Sequence, residues 1–240
     1  MDTPVTSKPA PSAPNHAALD TLAIVVPVLN AGKTLGATLA AVAGVAVVVV
    51  DGGSTDESVA VATEAGAAVV TTAPGRGGQL AAGADAAAAA WLLFLHGDTC
   101  LGSGWQAAAA SFMADPANRT RAAVFRFRLD DARLRARLMA WGVAWRGRVL
   151  GLPYGDQGLL IHRDFYNALG GYRALPLMED VDLVRRIGRA RLVFLAVDAV
   201  TSAARYRRDG YVARAVRNLT CLALFLMGAK VGLIRRVYGA

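Results

Sequence analysis

Leu22-Ala23-Ile24-Val25-Val26-Pro27-Val28 carries no polar side chain, and three further runs rich in Val, Leu and Ala follow at 45–50, 67–71 and 91–95. Short runs apolar on both faces suit strands of a sheet covered on both sides. The stretches between them, 33–43, 55–65 and 79–90, read as short helices, the third rich in alanine. Strands alternating with helices predict βαβ units and hence an α/β fold, a mostly parallel central sheet flanked by helices. After residue 115 the pattern changes. Residues 121–129 alternate charged and apolar side chains, as a half-exposed strand does. Residues 131–150 read as a basic, tryptophan-containing amphipathic helix and 158–200 as mixed short strands and helices. Residues 211–238 read as one long C-terminal helix with a break at Gly228.

The junction Val47-Val48-Val49-Val50-Asp51-Gly52-Gly53-Ser54-Thr55-Asp56-Glu57-Ser58 supports two readings. In one, the glycines permit a tight exit from a buried strand, and Ser54 with Glu57 forms an S-x-x-E capping box for the next helix. That reading leaves Asp51 unexplained, an acid where a strand leaves the sheet. Open α/β sheets bind ligands at that edge. Right-handed crossovers bring Pro27-Val28-Leu29-Asn30, Asp51 and His96-Gly97-Asp98-Thr99 to the same edge, each at the end of its strand. Pro74-Gly75-Arg76-Gly77-Gly78 lies between the third strand and its helix, where glycine amides and an arginine suit a phosphate. It is no dinucleotide fingerprint, because the position needing glycine is Leu80.

Composition narrows the partners more than the fold. Hydrophobic residues make up 55% of the 240, much of it alanine, and the net charge is +8. A basic chain favours anionic partners: nucleotide phosphates, nucleic acid or acidic lipid. No recognition module supports nucleic acid. Cys100 and Cys221 lack metal-ligand spacing, which suits a reducing compartment and a cytoplasmic protein. Residues 1–20 read as a disordered Pro/Ala/Ser tail rather than a signal peptide. No segment reaches about eighteen uninterrupted apolar residues, so no spanning helix is expected. In 131–150, Arg133, Arg135, Arg137, Arg146 and Arg148 interleave with Leu134, Leu138, Trp141, Trp145 and Leu150. That mixture suits peripheral contact with an anionic membrane at the inner face, extended by 211–238; packing of both helices on the core or on another subunit is the competing expectation.

Pro27-Val28-Leu29-Asn30, Asp51-Gly52-Gly53-Ser54-Thr55-Asp56, His96-Gly97-Asp98 and Met178-Glu179-Asp180, in that order, resemble glycosyltransferase family 2, inverting enzymes of the GT-A fold. The resemblance spans about residues 22–210. Gly75-Arg76-Gly77-Gly78-Gln79, Thr201-Ser202-Ala203-Ala204-Arg205-Tyr206 and the apolar C-terminal helix resemble a small bacterial subgroup associated with radical-SAM or selenium-domain proteins. It implies a nucleotide half at about 21–115, an acceptor half at about 116–210 and a C-terminal extension at 211–240. By resemblance Asp51 binds the base, commonly uracil, with Pro27, Asn30, Asp56, Arg76, Gly77 and His96 also at the nucleotide. Arg76 and Arg205 meet the diphosphate, and Asp98 holds Mg²⁺ or Mn²⁺ against it. Asp180 is the general base, and Asp156, Gln157 and Glu179 border the acceptor, a saccharide, lipid or small molecule bearing a hydroxyl. The sequence departs from the family pattern at His96, where an acid is usual, and at Ala31, where glutamate is common. Both departures keep a non-catalytic scaffold on the same fold in view. A sugar nucleotidyltransferase is the weaker rival, since the first strand leads into Pro27-Val28-Leu29-Asn30-Ala31-Gly32-Lys33 rather than a Gly- and Arg-rich loop.

Overall fold

Every residue of strand β1 (Leu22–Val28) is buried, and the side chains divide between two cores. Leu22, Ile24, Val26 and Val28 point to one face and Ala23 and Val25 to the other, the period-2 alternation of a strand covered on both sides. The computed structural model describes residues 16–239. β2 (Ala46–Asp51), β3 (Ala68–Thr71) and β4 (Trp91–Phe94) extend β1 as parallel neighbours in the order β3-β2-β1-β4. The crossovers are α2 (Gly32–Ala41), α3 (Ser58–Glu64) and α4 (Arg76–Ala86). Gly83 lets α4 lie close on the sheet, since a Cβ there would meet Val25 Cγ1 at 2.3 Å.

The remaining elements complete an eight-stranded sheet in the order β3-β2-β1-β4-β7-β6-β8-β5. They are β5 (Thr99–Leu101), α5 (Trp105–Ala114), β6 (Ala122–Leu129), α6 (Leu134–Leu150), β7 (Leu159–His162), α7 (Arg163–Ala168), α8 (Glu179–Ile187) and β8 (Leu192–Thr201). β7 runs against β4 and β6, and β5 against β8, while β6 and β8 are parallel. The sheet is thus mostly parallel and helix-flanked, as the periodicity predicts.

Four local expectations need correction. The capping box does not form. Asp51 accepts from the Gly53 and Ser54 amides, which holds 52–57 as a loop, and α3 starts only at Ser58, with no side-chain cap from Glu57. In β6 the alternation is confined to the second half: Ala122–Phe125 are buried, and Arg126 and Arg128 emerge to pair with Asp198. The C-terminal segment at 211–238 breaks at Gly228 as expected, but the break reverses the chain rather than interrupting one long helix. α9 (Ala204–Asp209), α10 (Tyr211–Leu226) and α11 (Val231–Tyr238) are separated at Gly210 and Gly228, both left-handed in φ. α11 folds back on α10, so that Ile234 packs with Cys221, Leu222, Met178 and Val181. Finally, of the tail expected at 1–20, residues 1–15 lie outside the described residues, whereas 16–19 form a short helix, α1 (His16–Leu19), whose Leu19 joins the core. Among the described residues no helix is long and apolar enough to cross a membrane.

Candidate active site

The carboxyl ends of β1, β2 and β4 open onto one edge because the three strands are parallel neighbours. A cleft of about 780 Å³ lies there, lined by Pro27 near the end of β1 and Asn30 after it, Asp56 in the loop after β2, Gly75 and Arg76 at the start of α4, and Asp98 after β4. A smaller pocket of about 110 Å³ adjoins it, lined among others by His96, Tyr154, Asp156, Asp180, Tyr206 and Arg214. Arg76, Asp98, Glu179, Ser202, Arg205 and Tyr238 border both.

The rim of the cleft is tied together by short polar side chains. Asn30, at φ 53° in the left-handed region that asparagine tolerates, accepts from the Thr55 amide, while its own amide donates to the Ser54 hydroxyl. Asp56 accepts from the Gly32 amide at 2.9 Å and from Ser58, and the Ser58 hydroxyl and Gly32 amide hold its carboxyl below the usual range. Gln79 is buried and donates to the carbonyls of both Val28 and Val50 at 2.8 Å, clamping the ends of β1 and β2. Gly52 leaves room for that clamp, since a Cβ would crowd Gln79 Nε2 at 3.0 Å.

Two residues expected at the nucleotide are engaged by the protein itself. Asp51 is buried and outside the lining, with its carboxylate committed to the 53–54 amides; it shapes the loop that presents Asn30 and Asp56. Gly77 is a packing glycine. Its amide donates to the Leu175 carbonyl, and a Cβ would fall 2.1 Å from the Arg173 carbonyl oxygen. His96 lines the smaller pocket that adjoins the larger cleft. Burial, with Arg76 and Arg205 nearby, holds its imidazole well below the usual histidine range, so it is neutral.

Charge converges where the two cavities meet. Arg76 lies 3.6 Å from Glu179. Burial lowers the guanidinium, but Glu179, Asp180 and Asp98 more than offset it. Burial and the adjacent Asp180 push Glu179 up to about 7. Glu179 borders both cavities and lies beside Arg76 at their junction. Asp180 accepts from the Gly155 amide at 2.8 Å and from the Val181 amide at 2.7 Å. Gly155 is required there, since a Cβ would press on His96 Nε2 at 2.5 Å. Met178, just ahead of Glu179, holds φ 66° without being glycine. Such a backbone costs of order 1 kcal/mol and persists only where packing enforces it. Here the enforcing contacts come from α10 and α11 through Cys221, Leu222 and Ile234.

Asp98 differs from Glu179 and Asp180. Among the described residues its carboxylate makes no hydrogen bond or ion pair, although it borders both cavities. No three His, Cys, Asp or Glu side chains among the described residues form a ready-made metal cage. An uncommitted hard oxygen donor at a site open to a ligand still fits Mg²⁺ or Mn²⁺, which keep several positions for water and phosphate oxygens. Arg205, exposed and without an ion pair among the described residues, borders the same junction.

The smaller pocket has an unusual floor. The Asp156 Oδ1, Tyr154 hydroxyl and Arg146 Nη2 atoms are buried without partners. The Arg146 guanidinium lies over the Tyr154 ring, 3.4 Å from its centroid. Burial pushes Asp156 up to about 6 and Tyr154 up to about 12. Gln157, expected at the acceptor, instead donates to the Phe125 carbonyl inside the protein and lines neither cavity. Sequence reasoning missed Gln79 as a clamp, Arg214 and Asn218 of α10, and Arg235 and Tyr238 of α11, all of which border a cavity. The glycines at 210 and 228 were the available signal that the C-terminal segment turns back.

Known proteins place this arrangement. Residues 23–172, more than half of the chain, match the model of Glycosyl transferase family 2. No curated protein matches the sequence with significance. The fold is similar to a mannosyltransferase, PcManGT, from Pyrobaculum calidifontis, solved with GDP-Man and Mn²⁺: TM-score 0.62, 18% identity, covering 89% of this chain and 64% of that one. It is also similar to glucosyl-3-phosphoglycerate synthase from Mycobacterium tuberculosis, solved with Mn²⁺, UDP and glucosyl-3-phosphoglycerate: TM-score 0.59, 16% identity, 93% and 88% covered. S. aureus TarS 1-349 gives TM-score 0.59 at 14% identity, 91% and 69% covered. These likenesses bear on the fold, which is GT-A; the family match rests on the sequence itself, and by it the chain belongs to glycosyl transferase family 2.

Proposed function

We propose that the protein transfers a sugar from a nucleotide-diphosphate donor, a UDP-sugar by preference, to an acceptor hydroxyl by a single inverting displacement. The observation that carries this reading is the uncommitted Asp98 carboxylate, which borders both the large cleft and the smaller pocket in company with Arg76 and Arg205. The cleft takes the nucleotide, with Pro27, Asn30 and Asp56 toward the nucleoside. Arg76 and Arg205 bind the diphosphate. Asp98 would hold a divalent cation, Mg²⁺ or Mn²⁺, which when bound neutralises charge on the departing nucleotide.

On the other side of that junction, Asp180 accepts the proton of the acceptor hydroxyl as its oxygen attacks the anomeric carbon opposite the leaving nucleotide. The Gly155 amide fixes the carboxylate for that task. Asp156, on the floor of the same pocket, is placed to bind acceptor hydroxyls. The unpaired cysteines suit a reducing cytoplasm. Support for a nucleotide-sugar donor comes from the family match and from neighbours solved with GDP-Man and with UDP.

The test is transfer from UDP-glucose and GDP-mannose to a panel of hydroxyl acceptors, with the anomer of the product read by NMR. An inverted anomer, lost in Asp180→Asn while UDP binding persists, supports the reading. A retained anomer, or full activity in Asp180→Asn, refutes it.

A further inference from the structure

α6 carries Leu134, Leu138, Trp141, Trp145 and Val149 at helical spacing, so they form one stripe along the helix. All five are exposed, Trp141 to 70% and Trp145 to 51%. The opposite side of the helix, with Ala136, Val143 and Gly147, is the one that packs inward. α6 thus packs on the core through Ala136 and Val143, but its tryptophan side does not. A row of large apolar side chains turned to solvent marks an interaction surface.

Charge decides what covers it. α6 contains four arginines and no acid. At 100° per residue, Arg137 and Arg148 fall on the same margin of the stripe, next to Trp141. Among the described residues neither makes an ion pair. α10 lies beside α6, with the Arg135 guanidinium 5.2 Å from the centroid of the Tyr211 ring. It adds a second exposed stripe through Val212, Val216 and Leu219, at 76%, 57% and 55%. A second copy of the chain is a poor occupant. A two-fold contact sets a patch against itself, and α6 offers no acid to meet the facing arginines. An anionic bilayer supplies both what the stripe needs and what the margin needs: an apolar boundary for Trp and Leu, and negative headgroups for the arginines.

We propose that α6 and α10 form a docking surface for an anionic lipid bilayer. The surface does not depend on sugar transfer, but it connects to the site. The side of α10 away from its exposed stripe supplies Arg214 and Asn218 to the smaller pocket, so a helix resting on lipid is also a wall of the cavity.

The experiment uses the full chain with vesicles of phosphatidylcholine, with and without phosphatidylglycerol, followed by co-sedimentation and tryptophan emission. Trp91 and Trp105 are already buried, so a blue shift reports Trp141 and Trp145. Binding to phosphatidylglycerol vesicles with a blue shift is expected, along with loss of both in Trp141→Ser/Trp145→Ser. Arg137→Gln/Arg148→Gln should weaken binding about fivefold per arginine removed. UDP binding serves as the control for folding, since neither pair lines the cleft. The proposal is overturned by the absence of sedimentation with phosphatidylglycerol, by sedimentation indifferent to both double variants, or by light scattering that shows a dimer abolished by the Trp double variant.

Discussion

Asp156→Asn should stabilise the protein at pH 8 and leave it unchanged near pH 3. Burial raises the Asp156 carboxyl from 3.8 to about 6, with Arg146 opposing and Asp180 and Asp98 adding to the rise. Its Oδ1 atom is buried with no partner. Between those two values the folded chain holds a proton that the unfolded chain has released, so stability falls as pH rises through about 4 to 6. Above that window the folded state carries a strained carboxylate, and below it both states are protonated and the difference vanishes. At about 1.4 kcal/mol per unit, the ceiling is about 3 kcal/mol. The residue is partly exposed, so a discounted gain of about 1–2 kcal/mol is expected, or roughly 3–6 °C in Tm for a chain of this size. The assay is thermal unfolding of both proteins from pH 3 to pH 8. A gain that is the same at both ends would refute the electrostatic account, and a loss of stability at pH 8 would show that Asp156 is needed as the charge partner of Arg146.

Other expectations rest on packing and on the polar clamp. Gly77→Ala pushes a methyl group into the Arg173 and Leu175 backbone and should cost about 3 kcal/mol by denaturant unfolding, whereas Gly78→Ala, with open space around it, should cost well under 1 kcal/mol beyond any helix-propensity gain. Gln79→Leu removes the donor shared by the Val28 and Val50 carbonyls and should cost about 1–3 kcal/mol while weakening nucleotide binding, measured by unfolding and calorimetry in parallel. Truncation before α11 removes Ile234 from the cluster around Met178, together with Arg235 and Tyr238 from the cleft wall. UDP affinity should fall in the truncated chain, and unchanged affinity would remove α11 from the site.

What could be read from sequence was what local pattern determines. The buried strands and the polar residues at their ends follow from period and turn chemistry within about ten residues, so Asn30, Asp51 and Asp98 read onto one edge, although Asp51 turns its carboxylate into its own loop and Asp56 lines the cleft instead. Contacts made across the chain left no such local trace. The Gln79 clamp spans 51 residues to Val28, and nothing near position 79 announces it. Gly77 looked like a phosphate-loop glycine because its neighbours are glycine and arginine, yet its constraint is a carbonyl nearly a hundred residues away. The capping box failed for a different reason: Asp51 takes the Ser54 amide that Glu57 would need, and the Ser54 hydroxyl accepts from the Asn30 amide instead. The break at Gly228 was legible in the C-terminal segment, but apolar composition does not encode that α11 folds back there onto α10.

The claim on which the account turns is that Asp98 anchors a metal–diphosphate complex at the junction of the two cavities. Calorimetric titration of UDP and GDP, with and without Mn²⁺, into the parent chain and Asp98→Asn tests it most directly. The account predicts a nucleotide affinity that rises with Mn²⁺ in the parent and is insensitive to Mn²⁺ in the variant, which retains the metal-free affinity through Arg76 and Arg205. An equal Mn²⁺ enhancement in both proteins, or no binding of either nucleotide to the parent, would contradict it.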